Sequence, residues 1–113
     1  MVLDERFSTD LMKKLILHML WDTGMRISEL LDLKLSDIGT QGKDGLRTAK
    51  VRTRKSMRYN LVVWGADTNR LLNNYLGLRL CIDTTSENNY LFINPKTQKK
   101  YTPRKIIALA AFT

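Results

Sequence analysis

Arg26 and Glu29 stand one helical turn apart, directly after a glycine, in Asp22-Thr23-Gly24-Met25-Arg26-Ile27-Ser28-Glu29-Leu30-Leu31. Gly24 ends one helix by taking a left-handed position at little steric cost, and Arg26 then opens the next. A guanidinium is electrostatically misplaced at that end, because a helix N-terminus favours anions. Glu29 at i+3 can hold the Arg26 fork in one rotamer, and a phosphate can fill the space in front of both. On spacing alone a second reading stands beside phosphate contact: an ordinary surface ion pair, of a kind that contributes little to stability.

A second set of groups suited to phosphate follows. The net charge of the 113 residues is +8, and it is unevenly placed. Residues 1 to 38 hold five Lys/Arg against seven Asp/Glu, residues 39 to 60 hold seven against one, and residues 61 to 113 hold seven against three. Lys50, Arg52, Arg54, Lys55 and Arg58 all lie in the middle segment, whose balance of +6 points to a polyanion. Clustered Lys and Arg attract phosphate backbones through counterion release, without base-specific contacts. The plain alternative is a solvated, solubilising face.

The run from Thr23 to Ile38, Thr-Gly-Met-Arg-Ile-Ser-Glu-Leu-Leu-Asp-Leu-Lys-Leu-Ser-Asp-Ile, resembles the first box of the tyrosine recombinase, or phage integrase, family. There, Thr-Gly-x-Arg-x-x-Glu-Leu is followed by a Leu and a Ser/Asp-rich exit from the helix. By this resemblance Arg26 is the first catalytic Arg, which contacts the scissile phosphate, and Glu29 is the carboxylate that orients it. A β-hairpin carrying a catalytic Lys follows the box in this family and ends in a hydrophobic strand. Leu61-Val62-Val63-Trp64-Gly65 resembles that strand end, and the usual interval back from it lands on Lys55. Lys50 is a competing candidate, and a purely electrostatic role is a third. The resemblance implies a hairpin-tip Lys that reaches the minor groove and donates a proton to a leaving 5′ oxygen. Lys50, Arg52, Arg54 and Arg58 are the expected DNA-binding side chains, and double-stranded DNA and other recombinase protomers are the implied partners.

The departures are equally plain. Downstream the family carries a His followed three residues later by a second Arg, then a further His or Trp, and a Tyr nucleophile; within residues 1–113 none of these is found. The only His is His18, ahead of the box, and it reads as a partly buried helix residue. Tyr59, Tyr75, Tyr90 and Tyr101 all read as structural: strand packing, helix core, strand core and loop anchor. The resemblance therefore covers the N-terminal half of a catalytic domain. In the intact enzyme such a domain would cleave and rejoin DNA through a phosphotyrosine intermediate; this chain alone is expected to bind DNA weakly and cut nothing. A rival from another class is a non-enzymatic regulatory module, with the Gly24 turn in a helix-turn-helix and the basic hairpin as a wing. The acidic Glu29 and Asp32 on the second helix argue against it, since phosphates repel them.

Hydrophobic periodicity sets the helices and strands on which these groups stand. Leu11, Leu15 and Met19, with Met12, Ile16 and Leu20, recur at i and i+4 and predict a helix from about Thr9 to Thr23, with Ser8 or Thr9 as N-cap. A short helix is predicted from about Arg26 to Asp32, then a turn-rich linker from Gly39 to Gly45. Two strands, about 46 to 54 and 58 to 64, are predicted around a turn at Lys55-Ser56-Met57. The first should place Ala49, Val51 and Thr53 on one side and Thr48, Lys50, Arg52 and Arg54 on the other. A helix from about Asp67 to Asp83 is expected to bury Leu71, Leu72, Tyr75, Leu76, Leu78 and Leu80. Tyr90 to Ile93 reads as extended, Asn94 to Tyr101 as a second basic loop, and Thr102-Pro103 as the cap and first residue of a last helix.

A chain of 113 residues with 43% apolar content supports one modest core. The predicted fold is α+β: mainly helical, with a small antiparallel hairpin, residues 1–113 forming a single domain. No apolar run approaches the roughly 20 residues of a membrane span, and no signal-peptide pattern opens the chain, so a cytoplasmic, nucleoid-associated protein is expected. One Cys and one His cannot build a disulfide or a zinc site, so neither metal nor other cofactor is expected. Cys81 is read as a buried, inert thiol in an apolar helix. The apolar terminal segment from Ile106 to Phe112 suggests self-association, a homodimer being the simplest form.

Overall fold

The structure, a computed structural model, describes residues 5–52, 58–81, 89–94, 97 and 99–110. Its elements run α1 (Glu5–Thr23), α2 (Ile27–Leu31), a 3-10 turn (Leu35–Asp37), β1 (Arg47–Arg52), β2 (Tyr59–Trp64), α3 (Ala66–Arg79) and α4 (Pro103–Ala110). This is the α+β arrangement the periodicity predicts: helices around one two-stranded antiparallel sheet. Gly24, Gly65 and Pro103 each mark an element boundary. Helix α1 begins earlier than expected, at Glu5, so Ser8 and Thr9 lie within it and neither is its cap.

The core is built from one face of each element. Met12, Leu15, Ile16 and Met19 of α1 meet Leu30, Leu31 and Leu33, the strand residues Ala49, Val51 and Trp64, and Leu72 and Tyr75 of α3. Leu91, Phe92, Tyr101 and Ile106 close it from the C-terminal side. Helix α1 packs on α3, β2 and α2, while α2 also touches β1 and α4. The long first helix is thus the spine on which the Arg26 turn, the hairpin and α3 are mounted.

Strand pairing fixes which side chains share a face. Arg47 stands opposite Trp64, Ala49 opposite Val62 and Val51 opposite Asn60, while Thr48, Lys50 and Arg52 stand opposite Val63, Leu61 and Tyr59. The first set turns Ala49, Val51 and Trp64 into the core, and the second set is exposed. Residues 53–57, with Thr53, Arg54, Lys55 and the turn expected at Lys55-Ser56-Met57, lie outside the described residues.

Helix α3 departs from expectation at its C-terminal end. It closes at Arg79, with Leu80 as C-cap, rather than running to Asp83. Leu80 is consequently 68% exposed, not buried, and Cys81 is an exposed thiol whose Sγ donates to the Gly77 carbonyl at 3.2 Å. The helical period that predicted their burial stopped one turn too soon to carry them inward. In their place α3 buries polar groups, Thr68, Asn69 and Arg79. Arg79 Nε donates to the Tyr90 carbonyl at 2.8 Å, and Tyr75 Oη donates to the Leu91 carbonyl at 3.0 Å. Burial pushes the Tyr75 hydroxyl well above its ordinary range, against the pull of Arg79.

The segment from Tyr90 to Ile93, expected to be extended, instead bends at Leu91 and Phe92 between two isolated bridges, Lys34 with Tyr90 and Ile93 with Lys100. At α4 the expected cap holds: the Lys105 amide donates to Thr102 Oγ1 at 3.2 Å and Pro103 is the first helical residue.

Candidate DNA phosphate site

The turn between α1 and α2 is held by backbone geometry before any ligand is considered. Thr23 Oγ1 donates to the Met19 carbonyl at 2.7 Å and accepts from the Met25 amide at 3.3 Å. Gly24 donates to the Leu20 carbonyl at 2.9 Å and takes φ +69°, a conformation that glycine adopts with little strain. Arg26 then serves as the N-cap of α2 in extended conformation, its carbonyl accepting from the Leu30 amide at 3.0 Å.

Glu29 does something other than grip the guanidinium. Its Oε1 accepts from the backbone amide of Arg26 at 3.0 Å, closing the first turn of α2. The carboxylate thereby satisfies an orphan donor and lies at the positive end of the helix. The Arg26 side chain is exposed, and its guanidinium has no hydrogen bond or ion pair with any described residue. An exposed fork on a fixed backbone is a ready receptor for a phosphate, which it can meet through two parallel hydrogen bonds.

The same capping device is used again in the exit from the box, where the Lys34 amide donates to Asp37 Oδ2 at 3.0 Å. This 3-10 turn adjoins the hairpin. Ser36 and Asp37 line an open hollow together with Lys50, Tyr59, Asn60 and Leu61. The fold therefore brings Lys50 beside the end of the Arg box. Lys55 and Arg54 lie outside the described residues. Lys50, Arg52 and Arg58 are described and exposed.

The outer face of the hairpin is more mixed than its charge suggests. Beside the Lys50 and Arg52 column runs a second column of Tyr59, Leu61 and Val63, exposed by 60%, 72% and 49%. Tyr59, expected to serve strand packing, thus points outward into solvent. Arg47, counted among the cations of residues 39 to 60, is turned inward: its Nε donates to the Gly39 carbonyl at 2.7 Å and its Nη1 to Asn73 Oδ1 at 2.9 Å. It clamps the linker to α3.

Two features join segments too far apart in the chain for local spacing to reveal them. Lys100 Nζ pairs with Asp32 Oδ1 at 2.6 Å and lies 5.2 Å from the centre of the Tyr90 ring, which Lys34 Nζ approaches to 5.7 Å. Asp22, the residue before Thr23, reaches α3. Tyr90 is half-buried under the two lysines, and Tyr75 and Tyr101 are buried. The second helix of the rival helix-turn-helix reading is only five residues long, too short to span a groove face. Among the described residues no group of three or more His, Cys, Asp or Glu could hold a metal ion, and no helix is long and apolar enough to cross a membrane.

The sequence model of the phage integrase family matches residues 1–109. A probable integrase/recombinase protein of Methanocaldococcus jannaschii is 33% identical over 93 residues, which make up 82% of this chain and 26% of that protein. Among solved structures, the XerA recombinase superposes with a TM-score of 0.70 at 26% identity, over 96% of this chain and 40% of that one. The XerH site-specific recombinase, bound to its palindromic difH substrate after cleavage, superposes with a TM-score of 0.71 at 24% identity, over 94% of this chain and 30% of that one. The chain thus spans between about a quarter and two fifths of the length of these relatives.

Proposed function

The chain belongs to the phage integrase family, and we propose from that membership that residues 1–113 form one domain, the N-terminal portion of a tyrosine recombinase catalytic domain. In the whole protein this portion supplies part of the centre that cleaves and rejoins double-stranded DNA. The observation that carries the reading is the exposed Arg26 guanidinium, unpaired among the described residues, on a turn fixed by Thr23, Gly24 and Glu29.

In the reaction, a tyrosine hydroxyl supplied by the rest of the protein gives its proton to a general base, also supplied from there, as its oxygen attacks the scissile phosphorus. A bond from that oxygen to phosphorus forms, the bond to the 5′ oxygen breaks, and a 3′-phosphotyrosine link results. Arg26 neutralises the charge that gathers on the non-bridging oxygens, where a preorganised cation is most effective. Glu29 supports it by fixing the backbone on which it stands. A hairpin lysine, Lys55 or Lys50, delivers the proton to the departing 5′ oxygen. Lys50, Arg52, Arg54 and Arg58 hold the flanking phosphates. Other recombinase protomers are the natural partners on the same DNA, and the nucleoid of the cytoplasm is the natural place of action. Residues 1–113 alone bind duplex DNA without cutting it.

The test is a fluorescence anisotropy titration of the 113-residue chain with duplex DNA at several salt concentrations. Binding should be micromolar or weaker, indifferent to sequence and steeply salt-dependent. Replacing Arg52, Arg54 and Arg58 together by Ala should weaken it and flatten the salt dependence by about 0.9 in logarithmic slope for each phosphate that is no longer neutralised. Unchanged affinity and slope would remove the hairpin as the DNA-binding surface.

A further inference from the structure

Resting on the reading of Arg26 as a phosphate ligand, we infer that Asp22 is a positioning residue, which locks the Arg26 turn to the base of the hairpin. Asp22 lies in the last turn of α1, where the negative end of the helix dipole disfavours a carboxylate. Its placement is compensated from another element. Its Oδ2 accepts from Thr68 Oγ1 at 2.6 Å and lies 3.4 Å from the Gly65 amide. Thr68 is 2% exposed, and the short O–H···O⁻ distance is that of a charge-assisted bond.

Three ends meet at this one oxygen. Gly65 is the N-cap of α3 and carries no side chain to cap it, so the carboxylate of α1 sits at the positive end of α3 in its place. Gly65 also follows Trp64, the buried final residue of β2 and the root of the hairpin. Asp22 itself precedes the Thr23-Gly24-Met25 turn that delivers Arg26. A single acceptor therefore joins the end of α1, the end of β2 and the start of α3. The phosphate-binding Arg and the cationic hairpin lie on different segments, and both must meet one DNA backbone. A tie between their roots lowers the ordering cost of binding, which is what preorganisation supplies.

Duplex binding by the 113-residue chain, measured by anisotropy over a range of salt, tests this with Asp22→Ala, Asp22→Asn, Thr68→Val, Arg26→Ala and the double variant Asp22→Ala/Arg26→Ala. Asn removes the same charge as Ala but keeps an acceptor, so the comparison of the two separates the hydrogen bond from the electrostatics. Asp22→Ala should bind about threefold to tenfold more weakly than Asp22→Asn, and Thr68→Val weaker than the unaltered chain by a similar factor, with the salt slope unchanged. The loss should vanish in the Arg26→Ala background, because a residue that acts through Arg26 has nothing left to position. Equal affinities for Asp22→Ala and Asp22→Asn, with Thr68→Val at the unaltered level, would overturn the inference. So would losses that simply add in the double variant, which mark a role in folding alone. If Arg26→Ala itself leaves binding and slope unchanged, the reading of Arg26 as a phosphate ligand fails instead, and that result is distinct from both.

Discussion

A guanidinium at a helix start is held there by its backbone, not by an ion pair. Because Glu29 accepts the Arg26 amide and leaves the fork free, the two residues should separate cleanly under mutation. Arg26→Ala should move the thermal midpoint little, since an exposed cation contributes roughly 0 to 1 kcal/mol to stability. Glu29→Ala removes a cap and should cost about 1 kcal/mol, whereas Glu29→Gln keeps the acceptor and should recover most of it. In the whole protein, Arg26→Ala should abolish cleavage. Thermal unfolding of the three variants, read beside a strand-cleavage assay of the full-length protein, checks this. A large stability loss in Arg26→Ala with cleavage intact would make Arg26 structural.

The hairpin shows how one element serves two purposes through the alternation of its side chains. Its inner face, with Ala49, Val51 and Trp64, is part of the core, and its outer face carries Lys50 and Arg52 beside Tyr59, Leu61 and Val63. Trp64→Ala should therefore destabilise by about 3 to 5 kcal/mol, the range for removing a large buried aromatic. Leu61→Ala, on the opposite face and 72% exposed, should stay within about 0.5 kcal/mol of the unaltered chain. Chemical denaturation of the two variants measures both. A large loss at Leu61 would mean that the register is shifted by one residue, which would exchange the two faces.

For the molecule as a whole, the core is closed on the hairpin side, but an apolar groove remains between α1, α2 and α4. Ile16, Leu17, Leu20, Ile27, Ile106 and Ile107 line it, with Leu17 64% and Ile107 62% exposed. Ile106 is buried while its neighbour is not, so the apolar terminal helix covers the core with one face and offers the other to solvent. Association between copies is the expected outlet for this surface. Sedimentation equilibrium should give a mass that rises with concentration above 13.1 kDa, and Ile107→Lys should abolish the rise. A 13.1 kDa monomer at every concentration would refute self-association.

Much of this architecture was legible because it is set by local chemistry. Gly24 dictates the break before Arg26, Pro103 the start of α4, and alternation the two faces of β1, all of which depend on neighbours within a few residues; the outward Tyr59, Leu61 and Val63 of β2 were not legible in this way. The family box was readable for the same reason: its residues are contiguous and their spacing is that of one helical turn. What periodicity misjudged were the ends, where α3 stops at Arg79 and leaves Leu80 and Cys81 in solvent. That Glu29 holds a backbone amide and not the guanidinium, that Arg47 clamps the linker to α3, and that Asp22 reaches Thr68 across 46 positions of chain follow from how the elements pack together. Hydrogen-bond partners are chosen by what lies within about 3 Å after the core has formed, and a linear sequence does not carry that distance.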